Sequence, residues 1–425
     1  MLRVLMLSWE FPPFKVGGLA AHVNDLSQML VQKSLEVHIL TCSFPGAKEY
    51  EVVNGVHVHR FDAYAIPAPD FLHWDLNMNL LMEQKAIELV RKYDIDIIHA
   101  HDWLVALAAI GLKHLFRKPL LVTIHSLERG RRNGLYNDGQ RMIDQIENLL
   151  IQESWHLIVC SQYMQSLCHF AFDFPQDKMS IIPNGVRYKE FNIKLSKEEQ
   201  KKHHLKYAKP EEKIVAYIGR LVPEKGVNVL LGAIPAVLEK KPNTKFVIAG
   251  EGWHRKELER IAQELGLNNK VLFTGYLPEE DFLAYLNVAD ILVVPSTYEP
   301  FGIVALEGMA TKTPVVVSDV GGLSEIIDHH WTGYKVPPDN SHAIAEALIK
   351  LLDDEKLRQK IVKNAYEKLI HVFDWEIIAD QTIEIYQKIF KEWRNHWWKT
   401  RKDHLKYQTV TKRKTTQQKE KQLNS

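Results

Sequence analysis

The chain has 425 residues, 46% of them hydrophobic and 25% charged, and a formal net charge of +1 at pH 7. That mix excludes a globally disordered chain, which would lack apolar residues and carry a large net charge. It also argues against a dedicated nucleic-acid binder, whose surface would be strongly basic.

Taken in order, the first half alternates short apolar runs with amphipathic stretches. The runs are Arg3–Ser8, Glu36–Thr41, Val56–Phe61, Ile95–His99, Leu120–His125, Leu157–Ser161 and Ser180–Pro183. Helical patterns fall at Ala20–Lys33, Met78–Lys92, Leu104–Leu115 and Met142–Glu153. Continuous apolar strands alternating with helices imply a parallel sheet covered on both faces. The segment Lys189–Glu212 is charged and strand-poor. Beyond it the pattern restarts, with strands at Ile214–Gly219, Lys245–Ala249, Val271–Phe273, Ile291–Pro295 and Pro314–Ser318. Helices read at Val227–Glu239, Arg255–Leu265, Glu279–Val288, Gly302–Thr311 and His342–Leu352. After Pro337 the chain is helical.

The fold class expected is therefore α/β, with two doubly wound Rossmann-like domains facing a cleft. Residues 1–188 form the first, 189–373 the second, and 374–398 a helix that returns to pack on the first domain, the alternative being a surface helix with a partner-facing aromatic stripe. The remaining 399–425 read as a basic disordered tail; from Lys391 onward the chain carries eleven Lys/Arg against three Asp/Glu. Cys42 and Cys160 lie near the ends of apolar runs and read as packed thiols. Three cysteines are too few for a disulfide framework or a tetrahedral metal set. The N-terminal run reads as a strand, not a signal peptide, and no apolar stretch approaches the ~18 residues of a membrane span. A cytoplasmic location is expected.

Three local patterns carry chemistry. In Pro295–Ala310, P-S-T-Y-E-P-F-G-I-V-A-L-E-G-M-A, a strand passes into a helix. The free N–H groups of Gly302, Ile303 and Val304 would offer an anion site. Glu299 and Glu307 flank it, and a carboxylate facing a cleft can accept from two ribose hydroxyls. In Tyr217–Gly226, Y-I-G-R-L-V-P-E-K-G, Arg220 and Lys225 follow a strand, a planar fork and a point charge suited to a diphosphate. No Walker loop and no G-x-G-x-x-G is present, so ordinary triphosphatase and dinucleotide readings lack their phosphate loops. Asp94-Ile95-Asp96 spells D-x-D but leads into a strand and is not taken as a metal site.

G-R-L-V-P-E-K-G followed by E-P-F-G-I-V-A-L-E resembles the retaining family-4 glycosyltransferases of GT-B fold. The resemblance implies that Arg220 and Lys225 bind the donor diphosphate, that Glu307 holds the ribose, and that Glu299 sits near the donor sugar. Backbone around Gly275, Tyr276 and Leu277 would meet the base. W-E-F-P-P-F-K-V-G-G-L-A is similar to the K-x-G-G-L loop of glycogen and starch synthases, which brings Lys15, Gly17 and Gly18 to the donor. H-A-H-D-W resembles the H-D-W motif of the same enzymes, where Asp102 would face the sugar site; Trp9 and Trp103, near strand ends, either offer aromatic faces to sugar rings or pack in the core. His125, in V-T-I-H-S, would contact the transferred sugar. Asn184 in I-P-N-G-V matches a motif near the interdomain hinge, whereas Arg187 stands where many relatives have Asp.

The activity implied is transfer of glucose, with retention, from ADP-glucose or UDP-glucose to an α-1,4-glucan. It would need neither metal nor cofactor and no nucleic-acid partner. Alternatives are a family-4 enzyme with a sugar-phosphate, lipid-linked or small-molecule acceptor, or an inactive glycan-binding relative. Neither donor base nor oligomeric state can be read from the sequence.

Overall fold

Five-to-seven-residue apolar runs become strands because both faces of each run can be buried under helices. In the computed structural model, which describes residues 1–131, 134–191, 195–396 and 398, they assemble into two sheets. The first contains β1 (Arg3–Leu7), β2 (Glu36–Cys42), β3 (Tyr50–Val53), β4 (Val56–Phe61), β5 (Ile97–His101), β6 (Leu120–Ile124), β7 (His156–Val159) and β8 (Met179–Ile181). Its order is β3-β4-β2-β1-β5-β6-β7-β8. Every pairing is parallel except β3 with β4. The second contains β9 (Lys213–Ile218), β10 (Thr244–Ala249), β11 (Val271–Gly275), β12 (Ile291–Val294), β13 (Val315–Ser318) and β14 (Tyr334–Val336). It is wholly parallel, in the order β11-β10-β9-β12-β13-β14. Two doubly wound α/β units result, the GT-B arrangement.

The strand order decides where a ligand can go. In the first sheet the chain winds outward from β1 through β2 and then returns to β5 on the other side. In the second it winds from β9 to β11 and returns to β12 beside β9. Each reversal opens a crevice at the carboxyl ends of the two central strands. The loops leaving β1, β5, β9 and β12 carry K-V-G-G-L, H-D-W, G-R-L-V-P-E-K and Y-E-P-F-G respectively.

Some elements depart from the pattern in the sequence. β3 and β14 were not expected: β3 is an exposed edge strand, and β14 spans only three residues. The second long helix begins at Phe71, not Met78, because the Asp70 side chain caps it by accepting the His73 N–H at 3.0 Å. A helix at Gln162–Phe172, capped by Ser161 accepting from Met164 N–H, was likewise missed.

After the second sheet the helix Trp375–Asn395 crosses back to the first unit, against helix Gly18–Gln32. Trp375, Ile378, Tyr386 and Ile389 enter the same apolar core as Val4, Met6, Leu26 and Leu30. The Tyr386 hydroxyl lies 2.8 Å from His99 Nδ1 beneath β5. At the crossing, Val186 N–H donates to the Phe373 carbonyl at 3.0 Å, tying together the two strands of chain between the units. The basic tail expected at 399–425 lies outside the described residues.

Candidate active site

The second unit supplies cations and a helix N-terminus. Beyond β9 the chain makes a tight turn at Pro223–Lys225 that closes on Gly226, φ +64°. A Cβ on Gly226 would sit 2.0 Å from the Pro295 carbonyl oxygen. Only glycine therefore lets this turn lie against the end of β12. That contact brings Lys225 to Glu299: Nζ donates to Oε2 at 2.7 Å, and Ser296 Oγ donates to the same oxygen at 3.1 Å. Arg220 is exposed, with Glu224 3.9 Å away. The helix Ile303–Ala310 starts at Gly302, φ +111°, with no side chain capping its first N–H groups. One turn on, burial pushes the Glu307 carboxyl up to about 7; Asp25 adds to the rise and Lys15 opposes it.

The first unit supplies the opposite wall. Helix Gly18–Gln32 starts at the two glycines, and a Cβ on Gly18 would come 3.1 Å from Ile303 Cδ1. The two helix N-termini thus face each other across the cleft at closest approach. The loop before this helix is held by Glu10, whose carboxylate accepts the N–H of Val16 and, at 3.0 Å, of Gly17. Lys15 reaches across the cleft to Glu279 at 3.4 Å. Asp102 follows β5 with φ +61°, a strained value for a residue with a side chain. Its carboxylate accepts the His125 backbone N–H at 2.7 Å. Burial raises the Asp102 carboxyl to about 6 and lowers the His125 imidazole to about 4. Asn184 is 4% exposed and its Oδ1 lies 2.7 Å from His22 Nδ1.

Two adjoining cavities lie between these walls. One, of about 500 Å³, is bordered by Lys15, Tyr276, Leu277 and Glu307. The other, of about 420 Å³, is bordered by Gly17, Gly18, Asp102, His125, Asn184, Lys225, Glu299, Gly302 and Val304. Arg220 and Ile303 border both. Tyr276 is 72% exposed and offers its ring to solvent at the first cavity.

Two expected residues sit differently. Gly275 does not border either cavity; it ends β11, and its carbonyl accepts from Gly250 N–H at 2.8 Å. Trp103 borders the second cavity but is only 3% exposed and packs edge-on against Phe71, so most of its ring belongs to the core. Trp9 is half-buried, edge-on to Phe14 and Trp74. Other residues of the cleft were not singled out from the sequence. Glu10 shapes the glycine loop, Glu279 meets Lys15, and Asp25 pairs with Arg187 at 2.7 Å beside Glu307. Arg187 is thus paired with an acid from helix Gly18–Gln32. Long sequence separation hid the Lys15–Glu279 and Asp25–Arg187 pairings.

The fold and cleft are those of a GT-B glycosyltransferase. Residues 196–368 match the family described as Glycosyl transferases group 1, and residues 16–190 match Glycosyltransferase Family 4. An uncharacterized glycosyltransferase of Methanocaldococcus jannaschii is 40% identical over 91% of this chain and 98% of its own length. The glycogen synthase of Mycobacterium tuberculosis (strain H37Rv) is 33% identical over 91% of this chain and 94% of its own. Among solved structures, sucrose-phosphate synthase from Thermosynechococcus elongatus superposes with a TM-score of 0.82 at 26% identity, covering 92% of this chain and all of that one. The chain belongs to the group 1/family 4 glycosyltransferases and resembles the glycogen synthases among them.

Proposed function

We propose that this protein transfers glucose from ADP-glucose or UDP-glucose to the non-reducing end of an α-1,4-glucan, with retention at the anomeric carbon. The observation that carries the reading is the pairing of walls: Arg220, Lys225 and the uncapped helix at Gly302 face Asp102 and His125 across one continuous cleft. The similarity to a glycogen synthase over nearly the whole chain supports the glucan acceptor.

In this reading the diphosphate lies between the helix N-termini. Arg220, Lys225 and the backbone N–H groups of Gly302, Ile303 and Val304 receive its charge, and Lys15 closes from the other side. Glu307 accepts from the ribose hydroxyls, and the base lies by Tyr276 and Leu277. The sugar occupies the second cavity near Asp102, His125 and Asn184. As the anomeric C–O bond breaks, its electron pair stays on the diphosphate, where fixed donors stabilise it most. The acceptor hydroxyl attacks from the same face and passes its proton to the leaving phosphate oxygen. Glu299, held by Lys225 and Ser296, orients the sugar.

The test incubates the protein with either donor and maltooligosaccharides and looks for products one hexose apart. Ladders with either donor support the reading. Arg131 at the second cavity, 2.7 Å from Ser126 Oγ, favours a phosphorylated sugar as the competing acceptor. Transfer to a sugar phosphate with no ladder would replace the glucan and keep the transferase.

A further inference from the structure

Beneath the point where the two cavities meet, three imidazoles from three different elements converge. His22 comes from helix Gly18–Gln32, His101 from the end of β5, and His125 from the loop after β6. Each offers one ring nitrogen, and those three nitrogens lie within 4.8 Å of one another. Ordinary packing does not satisfy the group. His22 Nε2 is buried and finds no hydrogen-bond partner among the described residues. Buried polar atoms left in this way call for an explanation.

The surroundings resemble those of a metal ligand. Asn184 Oδ1 can only accept, so the proton of His22 sits on Nδ1, which lies 2.7 Å away. That leaves the Nε2 lone pair of His22 free. An outer hydrogen bond fixing the ring tautomer in this way is the usual support of a metal-binding histidine. His101 Nδ1 and His125 Nε2 are 3.3 Å apart. This is long for a hydrogen bond, and it is the separation, about 3.3 Å, that two nitrogens take on one tetrahedral zinc ion with 2.0–2.1 Å bonds. His22 borders the first cavity and His125 the second, so an ion can reach the cluster from the cleft.

We propose that His22, His101 and His125 form an inhibitory site for a divalent transition-metal ion of the zinc type, with its fourth position open to the sugar cavity. Three neutral nitrogens suit Zn²⁺, Co²⁺ or Cu²⁺ and do not suit Mg²⁺ or Ca²⁺, which need oxygen. An ion held there takes the His125 ring away from the donor sugar and fills part of the space the sugar needs. The ion plays no part in the transfer. The binding claim stands on the cluster alone; the inhibition rests on the transferase reading.

The experiment titrates chelator-stripped full-length protein with Zn²⁺ against a chromophoric zinc indicator, and separately records its visible absorption with Co²⁺. One saturable site and intense tetrahedral Co²⁺ bands are expected. Thiolate-to-cobalt charge-transfer bands should be absent, because the three cysteines are buried and are not ligands. His22→Gln should abolish the site. Asn184→Ala keeps all three rings and should weaken Zn²⁺ by roughly 10–100-fold, the range for losing an outer-shell partner. His342→Gln, far exposed on the surface, should change nothing. Zn²⁺ should slow transfer, chelator should restore it, and Mg²⁺ should do neither. No saturable Zn²⁺ binding, weak octahedral Co²⁺ bands, or undiminished binding in folded His22→Gln would overturn the site. Binding without any effect on transfer would overturn the inhibition and leave the site.

Discussion

Arg220 and Lys225 differ in what holds them, and this sets the expected result of removing each. Arg220 projects from the surface and is free to turn onto a ligand, whereas Lys225 is pinned to Glu299 at 2.7 Å. In the proposed reading each donates to the leaving diphosphate, so Arg220→Ala or Lys225→Ala should cost roughly 10²–10³ in turnover. Steady-state rates on variants with unchanged far-ultraviolet circular dichroism check this; wild-type rates in both would remove the phosphate assignment. Glu307 should show itself in affinity. A carboxylate bonded to ribose hydroxyls contributes about 1.5–3 kcal/mol, so Glu307→Gln should weaken nucleoside diphosphate binding about 10–100-fold. Its carboxyl is raised to about 7, so the wild-type advantage over the variant should grow as pH rises from 6 to 8. Calorimetric titration at both pH values tests it, and a constant ratio would place Glu307 outside the ribose site. Asp75 makes a different kind of prediction. It is 1% exposed, its Oδ1 has no partner, and burial raises its carboxyl to about 8. The folded state therefore holds its proton more tightly than the unfolded chain does. Its stabilising contribution is complete below about pH 4 and lost as pH rises through about 8. Asp75→Asn should keep, at pH 9, a stability of order a few kcal/mol that the wild type loses. Urea unfolding at pH 5 and 9 decides it; parallel pH profiles would show that Asp75 is solvated.

At the scale of elements, the cleft is made by loops that leave central strands, and those after β1, β9 and β12 enter helices with glycine at their start. Gly226 is where two such loops touch, its Cα seated under the Pro295 carbonyl at the end of β12. Gly226→Ala combines a left-handed backbone, unfavourable by about 1–2 kcal/mol for a residue with a Cβ, with a contact that must push the loops apart. Its expected result is a lower unfolding midpoint together with a larger fall in turnover than Arg220→Ala alone, because Lys225 and Glu299 both move. Normal turnover in Gly226→Ala would show that the spacing of these loops does not matter to the site. The helices were legible where a cap or a long apolar stripe announced them. Glu279–Val288 has the bounds its pattern implied. Phe71–Tyr93 overran its apolar stripe because a cap, not hydrophobicity, sets its start.

For the whole molecule the returning helix is the least local feature. Trp375 to Asn395 shares a core with β1 and helix Gly18–Gln32, residues more than 340 positions earlier. Its buried side chains and the Tyr386–His99 contact complete the first unit from the far end of the chain. Truncation after Asp374 would expose that apolar face, so the shortened chain should aggregate or lose its cooperative thermal transition. A truncated protein that is monomeric and melts like the full chain would show the helix to be dispensable. The overall charge, near zero, places no constraint on this assembly. Among the described residues, no helix is long and apolar enough to cross a membrane.

The sequence by itself determined the alternation of strand and helix, hence two parallel sheets, because apolar runs and amphipathic periods are local properties. It also placed Lys15, Arg220, Lys225, Glu299 and Glu307 in motifs at strand ends, where a doubly wound sheet must bind. Only the tertiary structure decided which of those groups meet. Lys225 meets Glu299 across 74 positions, Arg187 meets Asp25, and Lys15 meets Glu279. It likewise brought His22, His101 and His125 together from three elements and packed most of the Trp103 ring into the core at the border of the cleft. Such pairings depend on how two sheets and a returning helix close on one another, and no periodicity along the chain encodes that distance.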